Sequence, residues 1–204
     1  EFLNKYKLKF RNYVLFVGAI EPKKNIGRLI DAYLAIETDM PLVIVGKKAW
    51  LLEGEIARID VKRIKLLDYV PTCELGYLYA GAFCFVFPSL YEGFGLPTLE
   101  AMEFGCPVIT SNVSSLPEIC GNAAIFVNPY DTNDIRNGIE RMLNNAQLRE
   151  KLSEAFSFRP GCPGNDRPAQ PLGGSHLGIY HNDASRVGVL PLFFRENLRP
   201  FFYG

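Results

Sequence analysis

The sequence predicts an α/β fold: a doubly wound parallel sheet of about six strands with helices on both faces, followed by an irregular Pro/Gly-rich C-terminal tail. Three observations predict it. Six short apolar runs recur between residues 13 and 127. Stretches with apolar residues at helical spacing separate them. Both periodicities vanish after about Phe158, where Pro160-Gly161-Cys162-Pro163-Gly164 and Leu172-Gly173-Gly174 begin a segment with no sustained pattern. The division is therefore residues 1–157 as one α/β domain and 158–204 as a tail, read as a disordered segment or an appendage.

The first strand is Tyr13-Val14-Leu15-Phe16-Val17, an apolar run that stops at Gly18 as a buried parallel strand does. Ile26, Leu29, Ile30, Tyr33 and Leu34 then recur at helical spacing over 25–37. Leu42-Val43-Ile44-Val45 ends at Gly46 and reads as the second strand, followed by a helix over about 49–58. Ile64-Lys65-Leu66-Leu67 is a weaker strand, and 72–79 a helix opened by Thr72 as a capping residue. Residues 82–87 form a strand ending at Pro88-Ser89. The helix over 97–104 has Pro97 in its first turn and Gly105 at its end. Val108-Ile109-Thr110 and Ala124-Ile125-Phe126-Val127 complete the strands. Asp131 caps a helix carrying Ile135, Ile139 and Leu143, and a last helix reaches about 156. No internal repeat is present.

Composition excludes several classes. The 204 residues suffice for one ordinary domain. Lys+Arg and Asp+Glu both total 22, so the excess of basic residues that a nucleic-acid binder uses against phosphates is absent. The five cysteines, Cys73, Cys84, Cys106, Cys120 and Cys162, show no CxxC spacing and read as reduced, mostly buried thiols of a cytoplasmic protein. Only two histidines occur, both in the tail, so no metal site is expected. No apolar stretch reaches the roughly 18 residues that span a bilayer. The start lacks a signal-peptide pattern and an initiator Met, and reads as a fragment.

In an open parallel sheet, ligands bind beyond the carboxyl ends of the strands. Three loops there carry chemistry. After the first strand comes Gly18-Ala19-Ile20-Glu21-Pro22-Lys23-Lys24-Asn25. Gly18 permits close approach to backbone. Lys23 and Lys24 precede a helix N-terminus, whose amides and dipole favour an anion such as a diphosphate. Taken alone, the two lysines fit a solvated loop equally well. Gly46-Lys47-Lys48 repeats the arrangement in shorter form, and alone it fits surface lysines better. The third loop is the most informative: Pro88-Ser89-Leu90-Tyr91-Glu92-Gly93-Phe94-Gly95-Leu96-Pro97-Thr98-Leu99-Glu100. Two glycines free the backbone, a helix begins at Pro97, and the amides of Phe94, Gly95 and Leu96 are expected to face one phosphate. Glu92 and Glu100 flank this turn. Carboxylates beside a phosphate make sense if they accept hydrogen bonds from sugar hydroxyls on either side of it. The helix dipole alone accounts for one acidic residue near a first turn. It accounts neither for the two glycines nor for the pair.

The two glutamates with seven residues between them resemble the E-x7-E motif of the family 4 retaining glycosyltransferases, which have two Rossmann-like domains in the GT-B architecture. The likeness extends to YVLFVGAIEPKKN at 13–25, PLVIVGKKAW at 41–50, Asp68-Tyr69-Val70-Pro71, GCPVITSNVSSLPEICG at 105–121, and the run into Asp131 and Leu148-Arg149. It covers about residues 10–157 and corresponds to the C-terminal, donor-binding domain. The resemblance implies that Lys24 contacts the donor diphosphate and that Glu92 faces the transferred sugar. It implies that Glu100 binds ribose hydroxyls, that the amides from Gly95 to Thr98 cradle phosphate, and that Tyr69 and Val70 lie in the base-binding loop. Gly18, Lys47, Gly93, Phe94, Leu96 and Pro97 complete the expected donor site. Many members have Arg after the first glycine where this chain has Ala19, which shifts weight onto Lys24 or Lys47. The family's N-terminal acceptor domain and last helix have no counterpart here. The tail resembles nothing in the family and is read as an out-of-frame or rearranged extension.

The expected function is that of the donor-binding half of a hexosyltransferase. It would act on a GDP-, UDP- or ADP-linked sugar, of mannose or glucose type, in glycan or polysaccharide synthesis. The acceptor, a glycan or lipid-linked molecule, would be held by the missing domain, and the full enzyme would associate peripherally with membrane. No cofactor is expected, since no DxD-type motif follows a strand. Two alternatives stand beside it. One is a truncated nucleotide-sugar-binding module without activity. The other is a sugar-nucleotide epimerase on the same fold, against which the histidine-poor core argues.

Overall fold

A computed structural model of the chain describes residues 2–47 and 62–155. The helix expected over 49–58, the tail over 158–204 and Cys162 lie outside the described residues. The strands are β1 (Val14–Val17), β2 (Leu42–Val45), β3 (Ile64–Leu67), β4 (Cys84–Phe87), β5 (Val108–Ser111) and β6 (Ala124–Val127). They form one six-stranded sheet in the order β3-β2-β1-β4-β5-β6, every neighbouring pair parallel. This is the doubly wound arrangement expected. The registers are in step: Val14 lies opposite Leu42 and Cys84, and Val108 opposite Ala124.

The described helices are α1 (Phe2–Lys5), α2 (Ile26–Leu34), α3 (Thr72–Gly81), α4 (Leu96–Glu103), α5 (Leu116–Cys120), α6 (Thr132–Asn144) and α7 (Ala146–Ala155). A single 3-10 turn, Pro22–Lys24, precedes α2. Burial follows position in the sheet. Every residue of β1, β2, β4 and β5 is buried, because helices cover both faces of inner strands. The edge strands β3 and β6 are only partly buried. α2 packs on α6, and α4 packs on both α3 and α5. The stripe Ile26, Leu29, Ile30 and Tyr33 of α2 is buried, as its spacing requires.

One local expectation needs correction. Thr72 is the first helical residue and Pro71 occupies the capping position, with no side-chain cap. Proline has no N–H to lose at a helix start, so it serves there. Asp131, by contrast, does cap α6, its carboxylate accepting from the Asn133 amide at 2.8 Å. Cys73 is exposed, whereas Cys84, Cys106 and Cys120 are buried. Two short helices, α1 and α5, are too brief to show a period and went unread in the sequence.

Candidate functional site

The strand order reverses between β1 and β4, so the loops leaving those strands run in opposite directions and open a crevice between them. Both loops are pinned. The Leu90 amide donates to the Lys23 carbonyl at 2.8 Å. Asn25, buried and in the left-handed conformation at φ 60°, donates from Nδ2 to the carbonyls of Pro88 (3.0 Å) and Pro129 (2.6 Å). Asn tolerates that conformation because its short polar side chain bonds locally. One side chain thereby ties the loops that follow β1, β4 and β6.

Lys24 and Glu92 meet in the crevice. Nζ of Lys24 donates to Oε1 of Glu92 at 2.6 Å, with the two side chains 11% and 10% exposed. The ammonium also lies 5.0 Å from the centroid of the Phe87 ring. A pair this buried is costly to break from one side only, because the survivor keeps its desolvation penalty without its partner. The backbone of Glu92 is held from the other side. Ser114 accepts from its amide at 3.2 Å and donates to its carbonyl at 2.6 Å, and Ser115 donates to the same carbonyl at 3.0 Å. Glu92 is thus fixed by the loops after β1 and β5 together.

The turn that follows leads into α4. Gly95 sits at φ 74°, and a Cβ there would lie 2.6 Å from Cδ2 of Leu116. Both its conformation and its space call for glycine. Thr98 is fully buried, and both its amide (3.0 Å) and its hydroxyl (2.6 Å) donate to the Gly95 carbonyl. The cradle expected from Gly95 to Thr98 is therefore narrower than the sequence suggested. The Thr98 amide is already engaged, and Pro97 has none. Among the described residues, no acceptor takes the amides of Gly93, Phe94, Gly95 and Leu96, which remain available at the start of α4. Phe94 is exposed beside them.

Glu100 is held by a different element. Its Oε2 accepts from the Tyr79 hydroxyl of α3 at 2.9 Å. Tyr79 is itself buried and stacked on Phe104, ring centroids 6.1 Å apart. Burial raises the Glu100 carboxyl above its ordinary range, and the hydrogen bond from Tyr79 works the other way. Burial and the neighbouring carboxylate push the Tyr79 hydroxyl up, so it stays a donor.

The remaining expected residues lie along the same sheet edge. The Gly18 amide donates to the Val45 carbonyl at 2.9 Å, and a Cβ on Gly46 would fall 1.9 Å from the Gly18 carbonyl oxygen. The ends of β1 and β2 can close together only because Gly46 has no side chain. Nζ of Lys47 lies 5.5 Å from the centroid of Tyr69, whose ring is exposed. Val70 follows Tyr69 in the same loop. Its side chain is buried in the hydrophobic core, leaving only its backbone for the loop. Sequence reasoning missed Asn25 as a clamp, Tyr79 as the partner of Glu100, and Ser114 and Ser115 as the clip on Glu92. The serines stood in a quoted motif, and nothing in their spacing reveals a bond across the sheet.

Among the described residues, no cluster of three or more His, Cys, Asp or Glu side chains could hold a metal ion, and no helix is long and apolar enough to cross a membrane. A separate cavity of about 490 Å³ lies between the end of α2 and α6, lined by Ile36, Glu37, Met40, Arg136 and Glu140 among others.

Comparison with known proteins gives a consistent result. Residues 2–156 match the family model for glycosyl transferases group 1. The chain is 45% identical over 158 residues to O-antigen chain mannosyltransferase B of Escherichia coli, covering 72% of this chain and 41% of that protein. It is 34% identical over 155 residues to O-antigen chain mannosyltransferase RfbU of Salmonella typhimurium, covering 74% and 42%. Among solved structures it resembles a sucrose-phosphate synthase from Thermosynechococcus elongatus, with TM-score 0.63, 27% identity, and coverage of 76% of this chain and 42% of that one. It also resembles Anabaena Alr3699/HepE in complex with UDP-glucose, with TM-score 0.61, 21% identity, and coverage of 72% and 44%. The chain spans about two fifths of the length of these two mannosyltransferases.

Proposed function

The chain belongs to the group 1 glycosyl transferases, and from that premise we propose that it is the donor-binding half of a retaining hexosyltransferase of polysaccharide synthesis. The observation that carries this reading is the convergence of Lys24, Glu92 and the unengaged amides of residues 93–96 on the crevice between β1 and β4. The pattern of Glu92 and Glu100 fits the E-x7-E motif of family 4. The donor is a nucleoside diphosphate sugar. Mannose is the favoured hexose, because relatives 45% and 34% identical along this stretch are named as mannosyltransferases.

In this reading the diphosphate lies against the N-terminus of α4, where amides and helix dipole meet its charge. Lys24 swings from Glu92 to a phosphate oxygen, and Glu92 turns to the hydroxyls of the transferred sugar. Glu100 accepts from the ribose through the oxygen that Tyr79 leaves open, and the exposed ring of Tyr69 offers a face to the base. As the anomeric bond to the leaving oxygen lengthens, negative charge grows on the nucleoside diphosphate. Lys24 and the amides stabilise it there, in the electrostatic mode of catalysis. The acceptor hydroxyl, and whatever orients it, come from residues beyond this chain. Isolated, the chain binds donor and does not transfer; robust transfer by it alone would contradict the half-enzyme reading.

Calorimetric titration with UDP, GDP and ADP, repeated on Glu100→Ala and Lys24→Ala, tests the site. At least one nucleotide binds, and each substitution weakens it about tenfold or more, as expected for losing a charged hydrogen-bond partner. Unchanged affinity in both variants would place the ligand elsewhere.

A further inference from the structure

Ser114 is one of four non-glycine residues with positive φ among the described residues, at 60°. A side chain held in that region costs about 1 kcal/mol or more, and such strain collects where the surroundings demand a particular geometry. The bonds Ser114 makes are with a single residue. Its hydroxyl accepts from the Glu92 amide and donates to the Glu92 carbonyl, and both bonds are solvent-exposed. Exposed hydrogen bonds contribute little net stability, since water replaces them readily. Fold stability therefore gives small return for a strained serine here. What the geometry does give is a fixed Glu92 main chain, immediately before Gly93, held by the loop after β5 rather than by the loop that carries Lys24. Ser115 reinforces it through the same carbonyl.

We propose that Ser114, seconded by Ser115, is a positioning residue that sets the angle at which Glu92 meets the donor's sugar, so that the loop after β5 governs how strongly the site distinguishes a nucleoside diphosphate sugar from the bare nucleoside diphosphate. This rests on the donor-site reading above. Lys24 and the amides at the start of α4 would hold the diphosphate whatever the posture of Glu92. The sugar-dependent part of the affinity would follow that posture.

The test is calorimetric titration of the full chain with GDP against GDP-mannose and with UDP against UDP-glucose, on the unsubstituted protein, Ser114→Gly and Ser115→Ala. Glycine accepts φ 60° without strain, so Ser114→Gly removes the hydroxyl and keeps the loop. The expected result is a preference for the sugar nucleotide that falls about fivefold in Ser114→Gly and less in Ser115→Ala, with affinity for the bare diphosphate unchanged. The thermal midpoint of Ser114→Gly is not lowered. Partial unfolding would reduce the stoichiometry for both ligands alike and leave the affinity ratio untouched, so the ratio decides. A ratio retained in Ser114→Gly, or equal affinity of the unsubstituted chain for the two ligands, overturns the positioning role while the donor site stands. Binding of none of the four ligands overturns the donor site and this proposal with it.

Discussion

At the residue scale, the site carries two carboxylates in unlike environments. Glu92 is balanced by a cation, so truncating it strands Lys24 in a nearly closed pocket. Glu92→Ala is expected to cost about 2 kcal/mol in urea unfolding, somewhat below the figure for fully buried pairs because the two side chains keep slight exposure. The double substitution Lys24→Met with Glu92→Leu should recover most of that loss, since it removes both charges, yet it should not bind nucleotide. Glu100 is balanced by a neutral hydroxyl. Burial raises its folded-state pKa above the ordinary 4.5, so holding it ionised at neutral pH costs stability. That cost disappears below about pH 4, where the group is protonated both folded and unfolded. Glu100→Gln should therefore raise the thermal midpoint at pH 7, and the gain should close in acid. A candidate binding residue that opposes stability fits the usual trade at a binding site.

At the scale of elements, the strands and long helices were legible because burial imposes its own period. β1, β2 and β4 appear as unbroken apolar runs since helices lie on both faces, and α2 shows its stripe since one side meets the core. α1 and α5 were not legible, being about a turn long. The turn at Gly93-Phe94-Gly95 was legible through its glycines, but its donors were miscounted, because Thr98 closes back on Gly95. Cross-sheet clamps such as Asn25 to Pro88 and Ser114 to Glu92 depend on strand order, which the linear pattern does not carry. Two glycines allow a comparison at this scale. Gly46→Ala drives a methyl against a carbonyl oxygen of the neighbouring loop, a backbone atom that cannot turn aside. Gly95→Ala meets the end of a leucine side chain and a strained φ. Gly46→Ala should be the more damaging, by at least 1 kcal/mol in chemical denaturation, and it should loosen amide exchange protection at the ends of β1 and β2.

At the scale of the whole molecule, the loops that follow β1, β4 and β5 meet on one residue, Glu92, Lys24 at its carboxylate and the two serines at its main chain, and the loops that follow β2 and β3 bring Lys47 and Tyr69 to the same edge. The topology produces this without special devices, since every parallel strand ends on that side. The chain spans about two fifths of the length of the two O-antigen mannosyltransferases described above. The measurement that bears on the donor site most directly is a titration of the isotope-labelled full chain with GDP-mannose and UDP-glucose, followed at each backbone amide by NMR. At least one of the two should shift the amides of Gly93, Phe94, Gly95 and Leu96 most, with Gly18 and Lys24 next. Silence with both ligands, or the largest shifts around the cavity between α2 and α6 at Ile36 and Glu140, would contradict a donor site at the β1–β4 crevice.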